Sequence, residues 1–166
     1  MQIRKALPKD AYEYAATHIA CWQAAYKGII SDEYLENMSA EQMAERNQTI
    51  LSGPGVFSYY CAELDGKMVG RLIFGKCRDE DKLNQGEIAA IYLLYEYWGK
   101  GYGREMMDFA LDELQRSGYG EALIWVLEAN SRARMFYEKC GFAFDGSTKA
   151  ISIDKSHIEM RYARAL

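Results

Sequence analysis

Two periods of hydrophobic residues alternate along this chain, and together they predict its elements. "IRKAL" reads as a short strand stopped by Pro8. Asp10 then stands where a helix cap is expected. Ala15, Ile19, Trp22 and Tyr26 follow at helical spacing as a buried face, and Gly28 ends the segment. Ser39 and Gln42 have capping-box spacing and open a second helix through about Leu51, before "SGPG" breaks the chain. "VFSYYCAEL" and "KMVGRLIFGK", joined by Asp65-Gly66, predict a hairpin. "CRDEDKLNQG" is a polar loop; its acidic run, Asp79-Glu80-Asp81, reads as solvated, although it could attract a cation. "EIAAIYLL" is apolar enough for a central strand buried on both faces. A helix to about Arg116 carries the stripe Met107, Ala110, Leu111 and Leu114, and Ser117-Gly118 stops it. "EALIWVLE" is a further buried strand. Asn130 or Ser131 caps a short helix with Ala133, Phe136, Tyr137 and Cys140 on one face, and "FAFDGSTKA" and "SHIEMRYAR" make a final strand pair. The order βαα-βββ-α-β-α-ββ predicts a mixed α/β sandwich, a single domain spanning residues 1–166.

Composition narrows the function classes. About half of the 166 residues are apolar and only two are proline, so a core can form and disorder is not expected. A formal charge of −4 without clustered Lys or Arg argues against nucleic acid and against anionic membranes, but leaves cationic substrates open. "MQIRKALPKD" lacks the apolar stretch of a secretory leader, and "IAAIYLLY" is too short to cross a bilayer; a soluble, cytoplasmic protein is expected. Four scattered cysteines without a C-x-x-C pair read as reduced thiols. Two histidines in no metal-like spacing leave neither a metal site nor a Ser-His-Asp triad to expect.

The segment "WGKGYG" carries the first candidate chemistry. Gly99, Gly101 and Gly103 alternate between a central strand and a helix. The stretch lacks the upstream glycine and Ser/Thr of a P-loop and fails G-x-G-x-x-G in either register. It does fit a turn whose successive N–H groups form a concave nest at a helix N-terminus, where a pyrophosphate could sit, flanked by Lys100 and Arg104. A plain flexible turn remains the alternative.

Three stretches resemble the GNAT superfamily of acetyl-CoA-dependent N-acetyltransferases. "EIAAIYLLYEYWGKGYG" is similar to its central strand and pyrophosphate loop, usually Q/R-x-x-G-x-G/A. "LIWVLEANSRARMFYEKCGF" is similar to the following strand and helix, matching N-x-x-A-x-x-F-Y-x-x-x-G-F at Asn130, Ala133, Phe136, Tyr137, Gly141 and Phe142. "CWQAAYKGIISDEYL" is similar to a W-x-x-x-Y-x-G segment of small bacterial members. The resemblance covers essentially the whole chain. It departs from the pattern at Trp98, where Gln or Arg is usual. The fold implied is a mixed, mostly antiparallel sheet, splayed in its middle, with helices on both faces.

The resemblance implies an acyltransferase that moves an acetyl group from coenzyme A to a primary amine by direct attack in a ternary complex. The acceptor would be a small molecule or a peptide. Acetyl-CoA is then the co-substrate, and the residues implied for it are Tyr92, Leu93 and Leu94 at the splay, Trp98, Gly99, Lys100, Gly101, Tyr102, Gly103 and Arg104 in the loop, and Asn130, Ala133, Phe136 and Tyr137 beyond. An amine of pKa near 10.4 is free in only about one molecule in 2,500 at pH 7, a handicap of roughly 4.6 kcal/mol, so a base is the larger chemical demand. Glu87, at the head of the central strand, is the candidate base, against the reading of a solvent-facing strand end. Tyr137 is the candidate acid or hydrogen-bond donor to the departing sulfur, against a packed aromatic. Trp22 and Tyr26, with Glu87, are the candidate acceptor site, against a plain core role. A CoA-binding module without transfer activity, or transfer of a longer acyl group, is the alternative. Homodimers are common in the superfamily.

Overall fold

The computed structural model describes residues 1–166. Strands β1 (Gln2–Lys5), β2 (Phe57–Leu64), β3 (Lys67–Lys76), β4 (Gly86–Leu93), β5 (Glu121–Leu127), β6 (Ala143–Ser152) and β7 (Ser156–Ala165) form one sheet in the order β1-β2-β3-β4-β5-β7-β6. Every neighbouring pair is antiparallel except β4–β5. The β2–β3 turn has positive φ at both Asp65 (50°) and Gly66 (75°), the geometry that matches the twist of a two-residue hairpin.

Helix α4 (Tyr102–Arg116) supplies the main core. Met106, Met107, Ala110, Leu111 and Leu114 are buried and join one apolar cluster with residues of β2 to β5 and β7. Helix α5 (Ser131–Lys139) adds Tyr137 to it. The N-terminal layer consists of α1 (Ala11–Ala25), α2 (Asp32–Glu36) and α3 (Ala40–Ser52). Ser39 caps α3 through its hydroxyl, 3.3 Å from the Gln42 N–H. The five-residue α2 is too short to show a helical period in the sequence.

Three expectations need correction. Asp10 does not cap α1 with its side chain; that carboxylate accepts from the Leu7 N–H (2.8 Å) and the Arg4 guanidinium (2.7 Å), tying β1 to the helix start. The buried arc of α1 is Ala11, Tyr14, Ala15, Thr17 and Cys21, while Ile19 is half-buried, because α3 covers the helix on one side and the sheet on another. Strand β4 is not buried throughout. Gly86 to Ile88 are, but Ala89 is exposed and Ala90 to Tyr92 are half-buried, because β5 leaves its side there.

The acidic loop before β4 is not merely solvated either. Its cation comes from within the fold. Arg161 of β7, 4 % exposed, donates to Asp79 (2.9 Å), to Asp81 (2.8 and 2.6 Å), to Asp145 (2.6 Å) and to the Ser147 hydroxyl (2.9 Å). The Trp125 indole N–H donates to the same Asp79 carboxylate at 2.9 Å. This cluster fixes the loop against β5, β6 and β7. Arg161 is the first cause holding Asp81 below the ordinary carboxylate range. At Asp145 burial opposes that direction, and the Ser147 amide and Arg161 outweigh it. The resulting stabilisation is present above the unfolded-state value near about 4 and is lost as pH falls through the lower folded-state values.

Arg161→Met should therefore destabilise the fold by about 1–3 kcal/mol at neutral pH, because it leaves three clustered carboxylates without their shared cation. The deficit should shrink below about pH 4 as they protonate. Urea melts at both pH values check this, and a loss under about 1 kcal/mol at pH 7 would contradict it.

Candidate active site

β4 and β5 pair through only two residues each, Gly86 with Ala122 and Glu87 with Leu123. Beyond that β4 carries an extra residue, since Ile73 pairs with Ala90 and Phe74 with Ile88, leaving Ala89 as a bulge. The two strands part there. Between them lies a cavity of about 580 Å³, bounded by Ile88–Leu93, Ile124–Leu127, the glycine loop and α5, with Trp22 and Tyr26 on its far wall.

At one end stands the glycine loop. Gly99 and Gly101 have φ of 73° and 90°, and Gly101 is the N-cap of α4. The N–H groups from Gly99 to Gly103 make no backbone hydrogen bond. Five consecutive donors at the positive end of a fifteen-residue helix form an anion cradle. Arg104 is less available than its position suggests, since Asp108 binds it at 2.8 Å. Lys100 stays outside the cavity lining, over the Tyr97 ring.

Trp98 has a definite task in place of the usual Gln or Arg. Its indole N–H donates to the Leu93 carbonyl at 2.7 Å, its ring packs edge-on against Tyr95, and the Arg132 guanidinium lies 4.6 Å over it. The side chain thus clasps the loop to the end of β4 and holds a cation beside the cradle. Arg132 lines the cavity, and no local motif marks it in the sequence.

The splayed edge of β4 can be read from its hydrogen bonds. The Leu94 N–H goes to the Val69 carbonyl of β3. Alternation along the strand therefore turns the backbone groups of Leu93 and Ile91 toward the cleft, and those of Tyr92 and Leu94 away from it. Of the three residues singled out there, Leu93 faces the cleft through its backbone and Tyr92 reaches it with its side chain. Leu94 packs on the core and lies outside the lining, as does Tyr102. On the facing side Asn130 caps α5, its Oδ1 accepting from the Ala133 N–H at 3.1 Å. Ala133 and Phe136 also line the cleft.

At the other end the chemistry-bearing groups converge. Glu87 is not a solvent-facing strand end: it is 2 % exposed and accepts from the Arg78 backbone N–H (3.2 Å) and from its guanidinium (3.1 and 2.5 Å). Tyr137 is 8 % exposed and lines the cavity. Burial first, then the neighbouring Tyr92, raises its pKa well above that of a free phenol, so the hydroxyl stays protonated and is available as a donor. The Tyr26 and Tyr92 hydroxyls are 2.9 Å apart, and burial raises both their pKa values. Trp22 packs edge-to-face on Tyr26 with centroids 4.8 Å apart, and these two residues wall the cavity while also packing on the Ile30–Leu127 cluster. Trp125, Lys149 and Glu159 complete this end. They come from β5, β6 and β7, and no sequence pattern singled them out.

Comparison with known proteins gives this cleft its relatives. The family model described as "Acetyltransferase (GNAT) family" matches residues 19–142. A protein described as "Probable N-acetyltransferase" from Mycobacterium tuberculosis is 30 % identical over 99 % of this chain and 95 % of its own. A spermidine N(1)-acetyltransferase of Thermoplasma acidophilum is 26 % identical over 86 % of this chain and 88 % of its own. The crystal structure of the PaiA N-acetyltransferase of T. acidophilum in complex with coenzyme A superposes with a TM-score of 0.72 at 25 % identity, covering 96 % of each chain. The chain belongs to the GNAT family of acetyltransferases and is an acyltransferase of the N-acetyltransferase kind.

Proposed function

We propose that this protein transfers an acetyl group from acetyl-CoA to a primary amine within a ternary complex. One observation carries the reading: a single cavity runs from five free N–H groups at the start of α4, between the parted β4 and β5, to Glu87 and Tyr137. The cradle would hold the pyrophosphate, with Arg132 beside it. The cleft-facing backbone of Ile91, the Leu93 N–H and the side-chain amide of Asn130 would bind the pantetheine arm in the manner of an added strand. The spermidine-acetylating relative supports a small amine as acceptor.

In the transfer the nitrogen–carbon bond forms as the carbon–sulfur bond breaks. Glu87 takes the proton lost by the nitrogen. Arg78 must first leave it, and its side chain, 61 % exposed, is free to swing into solvent. Tyr137 donates a hydrogen bond to the sulfur as charge develops there. A thiol pKa near 8.5 makes the sulfur a better acid than this buried phenol, so a hydrogen bond suffices. Holding both reactants in one dry cleft contributes much of the rate.

Acetyl-CoA should bind the wild type with one-to-one stoichiometry by calorimetry. Gly101→Val should weaken it by about tenfold or more, since a β-branched residue resists a φ of 90°. Unchanged affinity would remove the loop from the phosphate site. Binding without thiol release on any member of an amine panel would instead identify a coenzyme-binding module.

Glu87→Gln should depress turnover most at low pH and less at high pH, where free amine is abundant. Equal loss across the range would exclude a base. Tyr137→Phe should lower kcat by about a hundredfold with coenzyme affinity nearly unchanged. Wild-type turnover in that variant would remove the donor role.

A further inference from the structure

The reacting end of the cavity contains a second carboxylate. Glu159 of β7 pairs in register with Leu127 of β5, as Glu87 does with Leu123, so both project from one face of the sheet with Trp125 between them. Burial raises the pKa of Glu159, with Lys149 and Arg78 opposing the shift and Glu87 adding to it. Both carboxylates are ion-paired, and both pairs are lopsided. Glu87 and Glu159 are 2 % and 19 % exposed on strands, whereas Arg78 and Lys149 are 61 % and 41 % exposed. The Lys149 ammonium sits 3.6 Å from Glu159 and 3.8 Å above the Trp125 ring. The fixed charges of this end are therefore negative, while the positive ones are on more exposed side chains whose place a ligand's ammonium can take, keeping the carboxylates paired. Asp79 and Asp81, also acidic and near, are already occupied by Arg161. Tyr137, more than nine-tenths buried, turns a hydroxyl without a protein partner to the same space.

We propose that the acceptor is a linear diamine or polyamine, with one nitrogen reacting beside Glu87 and a second, as ammonium, docking on Glu159 in place of Lys149. The methylene chain then crosses the face of Trp125 under Tyr26 and Trp22, aromatic surface that suits both alkyl chain and cation. Four residues of β5, about 13 Å of strand, separate the two register positions, and because β4 and β7 flank β5 at about 4.8 Å on either side the two backbone positions lie roughly 16 Å apart. Two glutamate side chains reaching into the cavity shorten that to the span of an extended polyamine. This inference rests on the acetyl-transfer reading and adds the substrate class to it.

The test compares spermidine and cadaverine with butylamine, by thiol release and by calorimetry on the coenzyme A complex. In the wild type kcat/KM for the polyamines should exceed that for butylamine by about tenfold or more, through KM. Glu159→Gln should abolish this preference. Lys149→Ala should do the reverse, lowering KM for spermidine severalfold, a gain that no folding defect imitates. Equal use of butylamine by the wild type, or a preference that survives Glu159→Gln, overturns the proposal. Calorimetry separates the two readings. Spermidine binding that disappears in Glu159→Gln upholds the docking site even if no acetyl is transferred, whereas transfer to butylamine without spermidine binding upholds only the transfer reading.

Discussion

The early separation of β4 from β5 governs the rest of the structure. After Glu87 and Leu123 the two strands exchange no further ladder bonds, and an all-protein core would not tolerate such unpaired N–H and C=O groups. They are acceptable because the gap is open to solvent and to a ligand that can pair with them. The short region where the strands do meet is correspondingly tight. A side chain at Gly86 would meet Leu114 of α4 at 2.8 Å, so the helix presses directly against the point where the strands diverge. The bulge at Ala89 then bends β4 away while β3 continues to pair with it on the other side.

Charge is distributed around that opening with the same economy. Arg161 gathers Asp79, Asp81 and Asp145 from two different segments and so immobilises the loop that begins at Arg78. The loop is tied down at its acids, whereas its preceding cation, Arg78, is 61 % exposed and held by Glu87 and the Phe57 ring. In the proposed transfer, that asymmetry would let Glu87 remain a buried carboxylate with a partner at rest and become open to exchange when an amine arrives. A buried unpaired carboxylate would be costly to keep; a permanently locked one would be useless as a base.

How much of this was legible in the sequence follows from the range of the forces involved. The hairpin at Asp65-Gly66, the α4 stripe and the caps at Ser39 and Asn130 are local patterns, and each lies where its pattern placed it. Errors arose where a long-range partner decided. Asp10 is taken by Arg4, the acidic loop by Arg161 some eighty residues on, and the buried arc of α1 is set by α3. The cleft showed the same division. Gly99 to Gly103 and Asn130 to Tyr137 were readable as contiguous motifs. Arg78, Trp125, Arg132, Lys149 and Glu159 reach the cavity only because the sheet order β4-β5-β7-β6 brings distant strands together. The side chains of Leu94 and Tyr102, which the resemblance includes, turn to the core, while the Tyr102 N–H stays among the unpaired donors at the start of α4.

Trp98 shows how a departure from a family pattern can be structural in kind. A Gln or Arg at that position would bring several polar hydrogen-bonding groups to the loop. The indole instead uses its one N–H on the Leu93 carbonyl, a group that alternation aims at the cleft. That carbonyl is therefore withdrawn from any ligand, and the backbone face left for an added strand centres on Ile91. In exchange the loop is pinned to β4 by a 2.7 Å bond, and the aromatic face keeps Arg132 beside the N–H cradle. Positive charge lost from the loop at Trp98 is thus restored from α5. The anion site becomes a feature of two helices held in fixed relation, so that displacing α5 would disturb Arg132, Asn130 and Tyr137 together.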